Sequence, residues 1–487
     1  METPLINKVG STPEANASQT GALPGRKLSR RNSSPSRSQP ISWRQVSSDV
    51  TSLTTPPLRP KRCLLDAEMP DIALPGSEEQ LPQKEVSSDE LGVGETIFNL
   101  SNTMVGSGVL SVPYAFRLTR YVAVALLALV VAMTAFTAML IGQALELAAS
   151  RPGAASTPPS RRDFGYLAEV AFGQWGNRII AITTAMELWL AVVTFLVMSG
   201  INAQGLLGMD EPHAVAFCTM ITAVMVFIPL RVYAYVSLAS LAALCVASVA
   251  YLIDLFQMDE WNWPCFSAPE GVGDVFRAYG LIIFCFAGHP CFPALHQSMS
   301  DRSKWEPCVT FSFLVAAAYY VCLGLLAFLA LGTNMHAVFT ADMSGSGVLR
   351  RVTIAAFAVK IQLTAPVLLR VVLTCLRVWP EGGELSLLDF GPAAMIVLAT
   401  GFSACILAGH LAALASLCGA FLVNLTSVIL PVVIYLQLEK LVPSTRTAAF
   451  KVKLGLCWAA VGLGVVAGVA GTAMAVMDFF HSPSEAS

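Results

Sequence analysis

The chain has 487 residues, 55% of them hydrophobic and only 13% charged, with a formal net charge of −2 and a mean hydropathy of +0.63. A soluble domain carries roughly 25% charged residues, so this composition excludes a water-soluble globule, and the balanced charge gives no case for binding nucleic acid. The twelve cysteines are scattered, many within apolar runs (Cys245, Cys285, Cys322, Cys405, Cys418) and without a Cys-x-x-Cys pair. They read as small buried hydrophobes, not as zinc ligands.

Residues 1–92 are rich in Ser, Pro, Arg and Thr. Such a segment buries too little apolar area to offset chain entropy, which predicts a disordered tail. Within it Arg30-Arg31-Asn32-Ser33-Ser34-Pro35 reads either as a solvated basic stretch or as a phosphorylation site. An apolar domain is expected over residues 93–479, with residues 480–487 as a short C-terminal tail.

From Gly94 onward long apolar runs dominate. A bilayer core needs about 20 apolar helical residues. Eleven runs meet this pattern: 95–117, 121–148, 177–205, 213–229, 233–256, 274–297, 308–332, 350–370, 390–408, 411–437 and 453–478. Only His410 separates the ninth from the tenth, so a short turn is inferred there. The expected fold is an all-α membrane protein. Lys and Arg in the loops test the map through the positive-inside rule. With a cytosolic N-terminus, the tail places eleven basic residues inside and the cytosolic loops thirteen more, against four at span ends on the other side (Arg117, Arg120, Arg350, Arg351). After five spans the chain stands on the opposite side, so spans six to ten run inverted, compatible with an inverted repeat.

The first span is polar in its middle: Asn99, Ser101, Asn102 and Thr103 precede Gly106-Ser107-Gly108. Two such close glycines favour an unwound helix. Unwinding frees N–H groups that suit a substrate carboxylate and carbonyls that suit a cation. Close helix packing through small residues is the alternative reading. The sixth span carries Phe286-Ala287-Gly288-His289-Pro290 and then Pro293, which also interrupts a helix. Interrupted spans in matching positions of two halves point to a transport site. His289 reads equally as a ligand and as a buried, neutral, hydrogen-bonded residue. Glu187 and Lys360 each lie about ten residues into antiparallel spans. Both charges therefore fall near mid-membrane, where such residues usually face the bundle interior, and their depth admits an ion pair between them. Asp254 and Arg277 lie nearer span ends and read as interfacial or snorkelling.

Phe98-Asn99-Leu100-Ser101-Asn102, Gly106-Ser107-Gly108-Val109-Leu110 and Pro113-Tyr114-Ala115 closely resemble the first-helix signature of the amino acid/auxin permease family. Leu363-Thr364-Ala365-Pro366, Gly419-Ala420 and Ile429-Leu430-Pro431 add weaker likenesses, and the resemblance spans about residues 93–479. It implies eleven helices with a five-plus-five inverted repeat, broken helices one and six, and one helix more. It also implies secondary active transport of an amino acid substrate by alternating access, coupled to a proton or to sodium. In the sodium-coupled neutral amino acid transporters of that family, the positions of Asn102 and Thr364 help to hold a bound sodium ion, the only small ligand the resemblance suggests. The chain departs from those relatives at Lys360, one helical turn before Thr364, where they generally carry a small uncharged residue. An inward ammonium there would repel sodium, Glu187 would neutralise it, or it would face a solvated vestibule.

The other reading in this class of fold is an amino acid sensor that signals through the N-terminal tail. No HExxH, GxSxG or P-loop is present, so an enzyme is not expected. Asn-x-Ser/Thr occurs only at Asn16, Asn32, Asn99 and Asn424, which leaves plasma membrane and internal acidic organelle membrane undivided. Because eleven is odd, the termini should lie on opposite sides. Protease added to sealed vesicles should cut an epitope at one terminus and spare the other, and equal cleavage of both would remove the map.

Overall fold

In hydrocarbon, a backbone keeps its polar groups paired only within helices or a closed barrel. Among the described residues of the computed structural model the chain is helical and has no strand; Leu91 and Met299 form an isolated parallel bridge. The structure describes residues 90–151, 157–158, 161–227, 230–343, 347–376, 378–379, 387–441 and 448–481. The N-terminal tail up to residue 89, its Arg30–Pro35 stretch and residues 482–487 lie outside them.

The first apolar run is split into α1 (Val93–Met104) and α2 (Val112–Thr119), joined by a 3-10 turn (Ser107–Ser111). Next come α3 (Val122–Ala149), a short α4 (Phe164–Phe172), α5 (Gln174–Leu207), α6 (Glu211–Met225) and α7 (Leu230–Phe256). The second interrupted run is α8 (Val272–Phe284), a 3-10 turn (His289–Cys291) and α9 (Phe292–Ser298). Then follow α10 (Trp305–Leu331), α11 (Val348–Cys375) and α12 (Leu387–Ile406). The next run is α13 (Leu411–Leu417) continued through two π-helical stretches (Cys418–Val423, Leu425–Ile429) into α14 (Leu430–Lys440). The last helix is α15 (Ala448–His481). Among the described residues, eight helical stretches are long and apolar enough to cross a membrane.

The turn inferred at His410 is present: α12 ends at Ile406, Gly409 takes φ +83°, and its N–H donates to Glu211 Oε1 at 2.7 Å. Helix α4 was read from sequence as loop. It forms because Asp163 caps it, accepting from Tyr166 N at 2.7 Å. Arg277, expected to be interfacial or snorkelling, is held by two carboxylates. Its guanidinium binds Asp478 on α15 at 2.7 Å and Asp274 one turn back at 3.0 Å, so its charge stays within protein contacts.

Both interrupted helices open alike. Gly92-Val93-Gly94-Glu95 starts α1, and Gly92 N donates to Glu95 Oε2 at 2.9 Å. Gly271-Val272-Gly273-Asp274 starts α8, and Gly271 N donates to Asp274 Oδ2 at 3.0 Å. The first segment runs 12 residues and the second 13 before each stops.

Glycines let the helices meet backbone to backbone, as bilayer packing requires when lipid offers no hydrophobic drive between them. A methyl on Gly200 would come 2.3 Å from Val215 Cγ2, joining α5 to α6. Between α8 and the π-helical stretch the approach is closer, since a methyl on Gly419 would lie 1.9 Å from the Gly280 carbonyl oxygen. Asn424 sits between the two π stretches, accepts from the Tyr279 hydroxyl at 2.6 Å and donates to Gly464 O at 2.9 Å, tying α8 and α15 to this helix. Gly419→Ala should therefore destabilise the protein by roughly 1–3 kcal/mol through overpacking. Thermal unfolding in detergent measures it. Gly462→Ala, where a methyl meets nothing within 4 Å, should leave the midpoint unchanged, and equal melting of the two variants would contradict the contact.

Candidate functional site

Helix α1 stops because Val105 (ψ 88°) and Gly106 (φ −127°, ψ −155°) leave helical geometry. Helix α8 stops at Cys285, and Gly288 takes φ +135°, a region that favours glycine. The fold sets these breaks against each other. A methyl on Gly108 would lie 3.2 Å from Cys285 Cα, and one on Gly288 would lie 2.5 Å from Thr103 Cγ2. Gly106 differs: a methyl there meets nothing within 4 Å. Of the three glycines, then, two are required by close approach and the third borders open space. Ser107 begins the 3-10 turn through its backbone.

Stopping a helix inside a membrane leaves carbonyls without partners. One side chain takes up two of them. The buried Tyr320 of α10 donates its hydroxyl to Met104 O at 2.8 Å, with Cys285 O at 3.4 Å. The last residue of α1 and the residue after α8 thus share one phenol. Phe286 is fully buried and turned towards α10, stacking on Phe313 at 5.9 Å and meeting the edge of Tyr320 at 5.5 Å. Ala287 is half-buried.

His289 is buried and points to α3. Its Nε2 lies 3.0 Å from Thr134 O and 3.2 Å from Thr137 Oγ1. Thr137 in turn donates to Ser427 O in the second π stretch at 2.6 Å. This places His289 as a hydrogen-bonded anchor between the break in the sixth run, α3 and the π-helical segment.

The ion pair that sequence allowed between Glu187 and Lys360 does not form. Glu187 is buried and accepts from Thr426 Oγ1 at 2.7 Å. Among the described residues, neither Glu187 nor Lys360 belongs to a salt bridge. Shared depth did not bring them together, because Glu187 turns to the π-helical stretch while Lys360 sits on α11, packed between α5 and α7. The Thr364 hydroxyl donates to Lys360 O at 2.8 Å, so its oxygen keeps lone pairs free for another partner. Asn102 is half-buried, and its amide forms no hydrogen bond among the described residues. Helix α11 packs on the 3-10 turn of the first break.

Sequence reasoning passed over Tyr320, Thr426 and Asn424. Each is a polar residue within an apolar run, which is a usable signal, but its partner lies far along the chain. The matching Gly-Val-Gly-acid openings of α1 and α8 were also legible and unused.

The family model described as "Transmembrane amino acid transporter protein" matches residues 89–476. Amino acid transporter AVT1J of Arabidopsis thaliana is 26% identical over 422 residues, covering 79% of this chain and 91% of that protein. Amino acid transporter AVT1D of the same plant is 25% identical over 409 residues, covering 78% of this chain and 69% of that protein. Crystal structures of two mutant forms of an Eremococcus coleocola manganese transporter superpose with a TM-score of 0.51 at 14% identity, covering 83% of this chain and 91% of theirs. At that identity the likeness concerns the fold alone.

Tyr320→Phe keeps the ring and removes the donor shared by the two breaks. An unpartnered buried carbonyl costs about 1–3 kcal/mol, so this variant should melt at a lower temperature in detergent. Phe286→Leu, which leaves that hydroxyl in place, should still show protection of the Gly106 amide, which the Tyr320 hydroxyl engages, from hydrogen exchange. Unchanged melting and unchanged exchange in Tyr320→Phe would show that the hydroxyl does not hold the breaks.

Proposed function

We propose that this chain, which belongs to the transmembrane amino acid transporter family, carries amino acids across a membrane by alternating access. The family and its relatives are transporters, not enzymes, and the protein is a multi-pass membrane protein. The observation that carries the mechanistic reading is the pair of facing breaks, with open space beside Gly106. A substrate carboxylate fits there against the N–H groups of Ser107 and Gly108, the Gly106 N–H being engaged by the Tyr320 hydroxyl, with Phe286, Ala287 and Gly288 on the other wall. His289 serves by holding that wall on α3.

The arrangement we infer has eleven spans, counting α1 with α2, α8 with α9, and α13 with α14, and leaving α4 outside the bilayer. Spans one to five and six to ten form an inverted repeat, which the like-capped Gly-Val-Gly-acid openings of α1 and α8 support. The N-terminus is cytosolic by the distribution of Lys and Arg.

Coupling is the second element of the proposal. Asn102 and Thr364 retain the free oxygens that a sodium ion would need. Lys360, in no salt bridge among the described residues and one turn from Thr364, brings a positive charge that a proton can carry or leave into the same region, and like charges repel strongly where water is scarce. Transport is therefore linked to protons or independent of sodium, and Glu187, engaged by Thr426, leaves the lysine unneutralised.

Uptake of labelled amino acids into proteoliposomes tests this, with pH and sodium gradients imposed separately. Uptake should persist when choline replaces sodium and should respond to a pH gradient. Gly106→Leu fills the open space and should cut uptake to under about a tenth, the scale expected when a bound carboxylate loses its charge-assisted hydrogen bonds, while the protein still inserts. Uptake strictly dependent on sodium would return Asn102 and Thr364 to sodium binding, and full uptake by Gly106→Leu would remove the substrate placement.

A further inference from the structure

At the end of the bundle away from Leu91, the chain between α10 and α11 folds over the first break. Gly332 (φ +68°) ends α10, and Met335, Val338, Phe339, Thr340 and Met343 are buried. The loop is fastened to four different helices. Arg117 Nη1 of α2 donates to Met335 O at 2.6 Å. Thr340 Oγ1 donates to Asn202 Oδ1 of α5 at 2.9 Å. The Phe339 ring lies 4.0 Å from that of Tyr251 on α7 and 5.1 Å from that of Phe357 on α11. Its 3-10 turn (Phe339–Ala341) packs on the 3-10 turn Ser107–Ser111 of the first break.

The loop is closed on itself by a titratable pair. The Asp342 carboxylate accepts the His336 backbone N–H through both oxygens, at 2.9 and 3.1 Å, and also meets the His336 ring through Nδ1. The Asp342 side chain is 2% exposed, whereas that of His336 is 64% exposed. A buried carboxylate at the root of the loop is thus capped by an imidazole in contact with solvent. Other charged and titratable groups around it are Arg117 from α2 and Tyr251 and Asp254 from α7. The facing turn Ser107–Ser111 contributes none, and Arg350 and Arg351 at the start of α11 are exposed.

We propose that residues 335–343 form a latch over the transport site that tightens when the compartment it faces becomes acidic, with His336 as the sensor and Asp342 as its anchor. Histidine is the side chain that ordinarily changes charge between about pH 5 and 8. Protonation turns its contact with the carboxylate into a charge-assisted bond between opposite charges. Asp342 acts in the same direction. Burial, the largest cause, pushes its carboxyl above the usual range, and the bonds from His336 and the charge of Arg117 only partly offset this. A group raised in the closed loop favours closure below its ordinary range, and that contribution is lost as pH rises through the raised value. The ring and the carboxyl are in direct contact and share one proton, so acid favours the closed loop through the pair as a unit. The sealed loop would hold the non-cytosolic face shut over the Gly106 opening until the pair loosens. That consequence rests on the transport reading above; the latch itself does not.

Backbone hydrogen exchange of the full chain in nanodiscs tests the latch without any transport, because it reads local opening. After correction for the chemical exchange rate, peptides covering residues 335–343 should exchange about threefold more slowly at about pH 5.5 than at about pH 8, the scale of an ion pair with one exposed partner. His336→Gln, a surface change expected to fold, should abolish that difference, and Asp342→Asn should raise exchange at both pH values. Equal protection of the wild-type loop at both pH values, or an undiminished response in His336→Gln, would overturn the latch. A pH-dependent loop in a protein that shows no uptake would leave the latch standing and remove the transport reading. Uptake with a flat exchange profile would do the reverse.

Discussion

A peptide group that leaves a helix inside a bilayer has no water to turn to, and the centre of this molecule is organised around that constraint. Two helices stop at mid-bundle, and their free ends are placed against each other so that one hydroxyl, that of Tyr320, reaches Met104 O and Cys285 O together. The glycines follow from this. Gly288 lets its backbone approach Thr103 more closely than a side chain would permit, Gly108 packs tightly on Cys285, and of the three Gly106 keeps room beside it. Close packing and open space are thus divided among residues that look equivalent in the sequence.

The same constraint governs the polar residues deeper in the bundle. Glu187 receives a hydrogen bond from Thr426, His289 is seated on Thr134 and Thr137, and Thr137 continues to Ser427. All of these partners, or the groups they lead to, lie on or beside the π-helical stretch between Cys418 and Ile429. A π turn widens a helix and displaces its carbonyls from their usual partners, so it offers side chains from other helices something to bind. The break in the sixth run, α3 and α5 all use it, which makes this stretch a common support for one wall of the site.

The two ends of the bundle are built differently. Near Leu91, main-chain bonds to Ser298 and Ser300 join the start of α1 to the end of α9, a short-range tie between the two interrupted runs. At the other end, side chains do the joining: Arg117, Asn202, Tyr251 and Phe357 each hold the loop between α10 and α11. Side-chain ties that include a histidine on a buried carboxylate respond to conditions in a way that main-chain ties do not, and this asymmetry distinguishes the two faces of the protein.

Much of this was determined by sequence. The helical character of the apolar runs, the polar middle of the first run and the Gly-His-Pro interruption of the sixth are local properties, and the structure has each of them, down to the turn at His410. Tertiary structure alone decided which polar groups meet. Glu187 and Lys360 share a depth, but rotation about their helix axes sends one to Thr426 and leaves the other apart. Arg277 finds Asp478, 201 residues away, and Tyr320 closes two breaks whose residues lie far from it in the chain. Depth in a bilayer follows from counting residues along one helix, whereas the direction in which a side chain points depends on how that helix is rotated against its neighbours. That rotation is set by close approaches such as Gly280 to Gly419, which exist only once the helices have packed.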